Sequence, residues 1–339
     1  MAEDTERVCA LEGCENTFIP SRVTQKFCHP SHANLASNRA RVPKRKLHEA
    51  AYEQAPSAIT LLPDELDDEE IARLAERRGF IVSKPRPPEE DTATLSIDHL
   101  TGKDRLRLGV VACTHLGSKY QQLTALREFC RYADRSAKVD AFIHAGDVED
   151  GPVKRHRNPH EVFKHDYNVM LDYCVEVLPR TRKPWYIIGG NHDRWWIDDG
   201  GPNIIKALCE QRDDTTYLGQ DLGYLTFQDT LIEVFHYDAG TAYAWSYKLQ
   251  KHVESLSPFN KPHVALVGNF HKYCSIFYRN VLAIQLPSFQ AQTAWMVTKS
   301  LVSEVAGVIV DIGLAPKGLA PVTKIETVYT YEPRPDDWP

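Results

Sequence analysis

Five short apolar runs in this chain each stop at residues that bind metals. Residues 108–112 lead into Cys113-Thr114-His115, and residues 141–145 into Gly146-Asp147. Residues 185–189 lead into Gly190-Asn191-His192-Asp193. Residues 231–235 end at His236, and residues 263–267 at Gly268-Asn269-Phe270-His271. Each run has the length and apolar character of a buried strand. Parallel strands in α/β folds present their working groups at their carboxyl ends. The chain is therefore constrained to bring five strand ends to one rim. Histidine, aspartate, asparagine and cysteine gathered there form a candidate two-metal centre.

Helical spacing fills the gaps between the first runs. Leu123, Leu126, Phe129, Cys130 and Ala133 recur with it inside 120–135, and Val162, Phe163, Val169, Met170 and Val177 inside 161–178. Residues 203–212 read as another helix. Cys130, Cys174 and Cys209 fall in these patterns and read as small buried hydrophobes. The strand–helix alternation predicts a layered α/β fold. Beyond residue 212 strands dominate: 224–228, 231–235, 276–278, 281–285, 305–311 and 324–331. Thr101-Gly102, between residues 95–98 and 105–108, predicts a hairpin feeding the first central strand. Residues 237–250, with Tyr243, Trp245 and Tyr247, predict an aromatic-rich helix just past His236.

The order of these motifs resembles the calcineurin-like metallophosphoesterases, whose pattern is D-x-H, G-D, G-N-H-D, a lone His, then G-H-x-H. The resemblance runs over roughly residues 105–315. It departs at Cys113, where an Asp is usual, and at Asn269, where a His is usual. It implies two packed mixed β-sheets flanked by helices. It also implies two divalent ions (manganese, zinc or iron) bridged by Asp147. Cys113, His115, Asp147 and His271 would hold the first ion; Asp147, Asn191, His236 and Asn269 would hold the second. His192 would protonate the leaving oxygen, a task that suits an imidazole because its pKa lies near working pH. Asp193 would orient it, as carboxylate partners of histidines do. Residues 114–122 and 237–250 are similar to segments of phage-encoded members.

The two departures change the chemistry. A thiolate is softer than a carboxylate and favours zinc or iron over magnesium or calcium. The alternative for Cys113 is a buried thiol outside the coordination sphere. Asn269 is a weaker, neutral ligand, so the second position is loosely held, prefers manganese, or fills only with substrate. The loop past Asp147 carries Lys154, Arg155, His156, Arg157 and His160, a cluster suited to the phosphates of a substrate. Trp195 and Trp196 follow directly after Gly190-Asn191-His192-Asp193; they either stack on a base or sugar, or pack in the core.

Ahead of this body the first residues read as a separate small module. Cys9, Cys14, Cys28 and His32 make a Cys₃His set for one structural zinc, with His29 as an alternative fourth ligand. The segment resembles small zinc-ribbon modules, with a longer first spacing. It is too short to bury a core without a metal. Between residues 22 and 46 there are seven Lys or Arg and no Asp or Glu, against a net charge of −6 for the whole chain. That local excess suits phosphate contacts. Residues 67–78 predict an acid-capped helix, and residues 84–90 a Pro-rich linker. The expected organisation is 1–46 zinc-ribbon-like module with basic arm, 47–95 connector, and 96–339 phosphoesterase body.

The remaining features set the location. No apolar run approaches the ~20 residues that span a bilayer. Residues 1–6 hold no apolar segment, so no secretory signal is expected. Eight cysteines in 339 residues are too few for a disulfide scaffold. A cytoplasmic protein without a membrane partner is expected (the host's cytoplasm, if phage-encoded). The motif set with its basic arm and loop favours a phosphodiesterase with nuclease activity on nucleic acid. A phosphomonoesterase or nucleotide phosphatase, or a catalytically weak nucleic-acid-binding protein, are the alternatives. Oligomeric state is not encoded in any feature above.

Overall fold

The computed structural model describes residues 7–10, 14–18, 26, 92–101, 104–238, 244–257, 261–313, 322–335 and 337–338. The chain divides into two units, Met1–Val82 and Ser83–Pro339. In the first, β1 (Arg7–Val8) pairs antiparallel with β2 (Thr17–Phe18), in the register Arg7↔Phe18 and Val8↔Thr17. The Cys9 amide extends this ladder to the Asn16 carbonyl at 3.0 Å, and the Ala10 amide reaches the Lys26 carbonyl at 2.9 Å. Residues 27–91 lie outside the described residues. That range includes Cys28, His32, most of the basic arm and the expected 67–78 helix.

The second unit is built on alternation. Its elements are β3 (Thr94–Ser96), β4 (Arg105–Val111), α1 (Leu123–Tyr132), β5 (Ala141–Ala145), α2 (Tyr167–Val177) and β6 (Trp185–Gly189). There follow α3 (Asn191–Asp198), α4 (Ile204–Glu210), β7 (Thr215–Gln220), β8 (Leu222–Phe227), β9 (Thr230–His236) and α5 (Tyr247–Ser255). Last come β10 (Val264–Gly268), β11 (Cys274–Tyr278), β12 (Val281–Gln285), α6 (Ala294–Thr298), β13 (Ala306–Gly313) and β14 (Val322–Thr330). One sheet has the order β14-β13-β4-β5-β6-β7 and the other β11-β12-β10-β9-β8-β3. Because side chains alternate along a strand, Leu106, Leu108, Val110, Ala141 and Ile143 meet Val234, Val264, Leu266 and Ile284 between the sheets. Phe142, Trp185 and Ile187 face the other way, onto Phe129, Met170 and Leu208 of α1, α2 and α4. Leu249 and Val253 of α5 cover the far side of the second sheet, against Ala265, Val267 and Ala283. The result is the helix–sheet–sheet–helix sandwich that was expected.

Strands β4 to β7 run parallel, as do β9, β10 and β12. Their carboxyl ends therefore fall on one edge of each sheet. Every strand along which the motifs were placed is present.

Several expectations fail for local reasons. Residues 95–98 and 105–108 form no hairpin, because β3 pairs parallel with β8 in the other sheet, where Ile97 is fully buried. The second helix starts at Tyr167, since the Asp166 side chain accepts from the Asn168 and Val169 amides and caps it there. That register leaves Val169 47% exposed, outside the core. The helix past His236 begins only at Tyr247; residues 239–243 lie outside the described residues.

Helix α1 has no capping side chain of its own. Asp337 supplies one from the distant end of the chain, accepting from the Thr124 amide at 2.7 Å and the Thr124 hydroxyl at 2.5 Å. Beside it, Gln122 exchanges two bonds with the Arg334 backbone, at 2.7 and 2.9 Å. Loss of an N-cap costs about 1 kcal/mol. Asp337→Ala should lower stability by about that amount, read as a reduced urea midpoint with unchanged slope.

Candidate metal centre

Close backbone approach builds the rim. A Cβ on Gly190 would overlap the Asp147 amide and carboxylate, so only glycine lets the β6 turn lie against the β5 turn. Five of the expected ligand residues have left-handed backbone: Cys113 (φ 52°), His115 (43°), Asp147 (53°), Asn269 (93°) and His271 (55°). Non-glycine residues adopt this region at a cost, and such strain gathers at functional sites.

Three imidazoles turn their Nε2 atoms toward other acceptors at the rim. The His115 Nδ1 lies 2.8 Å from Asp150 Oδ1, an acceptor, so its proton sits there and Nε2 is bare. The Ser303 hydroxyl donates to the Gln290 carbonyl at 2.5 Å, which leaves its oxygen to accept from His271 Nδ1 at 3.3 Å. The two bare Nε2 atoms of His115 and His271 then stand 3.2 Å apart. Likewise His236 Nδ1 donates to the Ala145 carbonyl at 2.7 Å. Its Nε2 faces Asp147 Oδ2 at 3.1 Å and Asn191 Oδ1 at 3.2 Å. Acceptors this close call for a cation between them.

The donor set fits one. Cys113, His115, Asp147 and His271 are all buried, with ligand atoms within 4.8 Å of one another. A zinc-like ion holds nitrogen, oxygen and sulfur at about 2.0–2.3 Å. Asp147 Oδ1 is fixed by the His192 amide at 2.9 Å. Its Oδ2 is shared, lying 3.7 Å from His115 Nε2 as well as beside His236. Burial works against ionisation of Asp147, but the surrounding imidazoles of His236, His192 and His115 hold it well below the usual carboxylate range. Burial and the Asp147 charge push the Cys113 thiol up; a bound cation reverses that push. The Asn269 amide donates to Cys113 Sγ at 3.3 Å, and Asn269 lines the same cavity.

His192 is placed differently from the expectation. Its Nδ1 is 3.0 Å from the Asp150 carbonyl and 3.5 Å from Asp150 Oδ1. Burial lowers its pKa, yet Asp147 and Asp150 together push it up to about 10. Asp193, expected to orient it, instead accepts from the backbone amides of Gly190 (2.7 Å), Glu149 (3.1 Å) and Val148 (3.2 Å). It stitches two rim turns together. Asp150 is the acid that faces the imidazole, and it was overlooked although it stands three residues past Asp147 on the same turn. Gln290 and Ser303 carried no sequence signal, because they come from a distant loop.

The centre opens into a cleft of about 920 Å³ that also reaches Arg155, Arg157, Trp195, Lys272, Trp295 and Lys299. Lys154 does not line it. Lys154 and Arg155 both pair with Asp199, at 3.1 and 2.6 Å. Arg157 has no ion-pair partner among the described residues. Trp195 packs against His192 with ring centroids 4.0 Å apart and the planes tilted by 35°. In the first unit, Cys9 and Cys14 lie between β1 and β2 in the sequence; Cys28 and His32 lie outside the described residues.

Residues 106–237 match the family model for calcineurin-like phosphoesterases. This stretch is a calcineurin-like phosphoesterase domain. It is the domain of a metal-dependent phosphoester hydrolase. No curated protein sequence matches the chain. Among solved structures, an archaeal phosphodiesterase is similar over 65% of this chain and 100% of its own, at 13% identity and TM-score 0.37. A predicted phosphoesterase of Streptococcus pneumoniae is similar over 67% and 98%, at 14% and 0.33. GAP50, the anchor in the inner membrane complex of Plasmodium, is similar over 69% and 91%, at 11% and 0.39. At those scores none of the three bears on the chemistry of this phosphoesterase domain. Among the described residues no helix is long and apolar enough to cross a membrane.

Gly190→Ala should displace the Asp147 carboxylate. Elemental analysis of the purified variant should find the phosphoesterase domain stripped of divalent metal, with its far-ultraviolet circular dichroism unchanged.

Proposed function

We propose that the protein hydrolyses phosphodiester bonds in nucleic acid, using two divalent ions held at this rim. The observation that carries the reading is the shared Asp147 Oδ2, which faces His115 on one side and His236 on the other. Cys113, His115, Asp147 and His271 hold the first ion; Asp147, Asn191, His236 and Asn269 hold the second. Manganese, zinc and iron all suit donors of this mixed softness. When bound, the ions supply Lewis acidity toward the phosphoryl oxygens and the attacking water.

His192 is the general acid. Asp150 fixes its Nδ1, so the proton it can give sits on Nε2, toward the cleft. Trp195 packs against the ring at a tilt of 35° and limits its movement. The Asp150 carboxylate beside it favours the charged imidazole, the form that can give a proton to the leaving oxygen. Arg157 is the cation of the basic loop best placed to meet substrate phosphate. The basic arm of residues 22–46 supports a polyanionic substrate. Cys9, Cys14, Cys28 and His32 hold one structural zinc beside that arm. Cysteine usage supports action in a reducing cytoplasm, the host's if the protein is phage-encoded.

His192→Ala should lower hydrolysis of bis(p-nitrophenyl) phosphate by about 10²–10⁴-fold while metal content stays at the wild-type level. Hydrolysis of the monoester p-nitrophenyl phosphate in preference to the diester would overturn the phosphodiesterase reading. Cys113→Asp should move the activating metal from zinc or iron toward harder ions such as manganese. Titration of the metal-stripped variant with each ion measures that shift.

A further inference from the structure

The cleft has a second wall that the metal centre does not use. Residues 289–304 leave the body at Ser288 and return beside it. The Ser288 amide donates to the Glu304 carbonyl at 2.9 Å, and the Ala306 amide to the Ser288 carbonyl at 3.0 Å. Such a loop with closed ends packs on its own side chains. The Leu301 amide reaches the Met296 carbonyl at 2.9 Å, and Gln292 Nε2 the Leu301 carbonyl at 2.6 Å. The loop is also tied to the rim, by Ser303 to His271 and by Gln290 Nε2 to Asp150 Oδ1 at 3.4 Å. It is a platform with a fixed place relative to the metal ligands.

This platform turns apolar groups toward the cleft. Trp295 and Val302 line it while remaining 44% and 53% exposed. Large apolar side chains left open beside a polar centre mark a ligand surface. Trp195, which also lines the cleft, is already engaged: it packs on His192 at a 35° tilt, meets His156 edge-on at 5.6 Å and covers Gly151. Trp295 has no ring partner among the described residues. Lys299 follows it by four positions, one helical turn on, and also lines the cleft. It has no ion-pair partner among the described residues. A flat aromatic face with a cation one turn away complements a base and its neighbouring phosphate. An uncharged apolar ligand would leave Arg157 and Lys299 unmatched.

We propose that residues 289–304 form a nucleoside subsite, in which Trp295 stacks a base and Lys299 binds the phosphate next to the one cleaved. The subsite rests on the phosphodiesterase reading for the reaction and names the part of the substrate that the cleft selects. The test compares thymidine 5′-(p-nitrophenyl phosphate) with methyl p-nitrophenyl phosphate, which share a leaving group. The full-length protein should prefer the nucleoside ester in kcat/KM. Trp295→Ala should lower that preference about tenfold, chiefly through KM, and Trp295→Phe should restore most of it. Lys299→Ala should flatten the salt dependence of binding of a single-stranded thymidine oligonucleotide, followed by fluorescence anisotropy. Equal rates on the two esters, or a preference that survives Trp295→Ala, would overturn the subsite and leave the phosphodiesterase reading standing. Turnover of neither ester under any metal would remove the phosphodiesterase reading. The subsite would then stand or fall on whether Trp295→Ala weakens oligonucleotide binding.

Discussion

One carboxylate oxygen, Asp147 Oδ2, sets the geometry of the whole rim. Around it three imidazoles have been robbed of any choice of tautomer. Asp150, Ser303 and the Ala145 carbonyl each take the proton on the far nitrogen. Each near nitrogen is left as a bare acceptor, and two of them stand 3.2 Å apart. Buried acceptors that face only acceptors are costly. They persist here because each is fixed from behind by a group belonging to a different segment. The arrangement makes sense as one half of an electrostatic pair whose other half is a cation.

The same economy explains the backbone. Cys113, His115, Asp147, Asn269 and His271 are all left-handed, and each lies in the turn just past a buried strand. Strands β4, β5 and β10 cannot shift to relieve them, because their side chains are locked into the core between the sheets. The rim amides are satisfied across the turns: Cys113 donates to the Gly146 carbonyl at 2.9 Å, and His115 to the Asp147 carbonyl at 3.2 Å. The sandwich thus holds strain of the order of 1–3 kcal/mol per residue where the ligands must converge.

The strands and their ligands were legible because burial and period act locally. Runs such as residues 141–145 and 185–189 cannot be anything but buried, and the ligand follows the strand in the sequence. Pairing was not legible at the margin. Leu95 and Ile97 read as the first arm of a hairpin, but the sheet that takes them is chosen by β8, more than a hundred residues on. Roles within the site were partly legible. His192 and Asp147 announce themselves, whereas the partner of His192 depends on how the Asp147 turn curls. That curl brings Asp150 round and leaves Asp193 to the backbone. Trp195 and Trp295 show the same limit. Position in sequence favoured the first, beside the motif, while packing consumed it and left the second facing the cleft.

The two departures from the family pattern share a property that their chemistry conceals. Cysteine for aspartate exchanges one anionic ligand for another once the thiol has lost its proton, and asparagine for histidine exchanges one neutral ligand for another. Under the proposed ligation, the formal charge that the rim would offer to metal is therefore preserved at both positions. Hardness and ligand strength change instead. The Cys113 sulfur is fully buried and accepts the Asn269 backbone amide. Asn269 sits on the same turn as His271, so the two proposed metal positions would be joined through a single backbone. A site that had merely decayed would have no reason to keep its charge while losing its ligands. Conserving charge and trading hardness is how a rim of this shape would be tuned to a different metal.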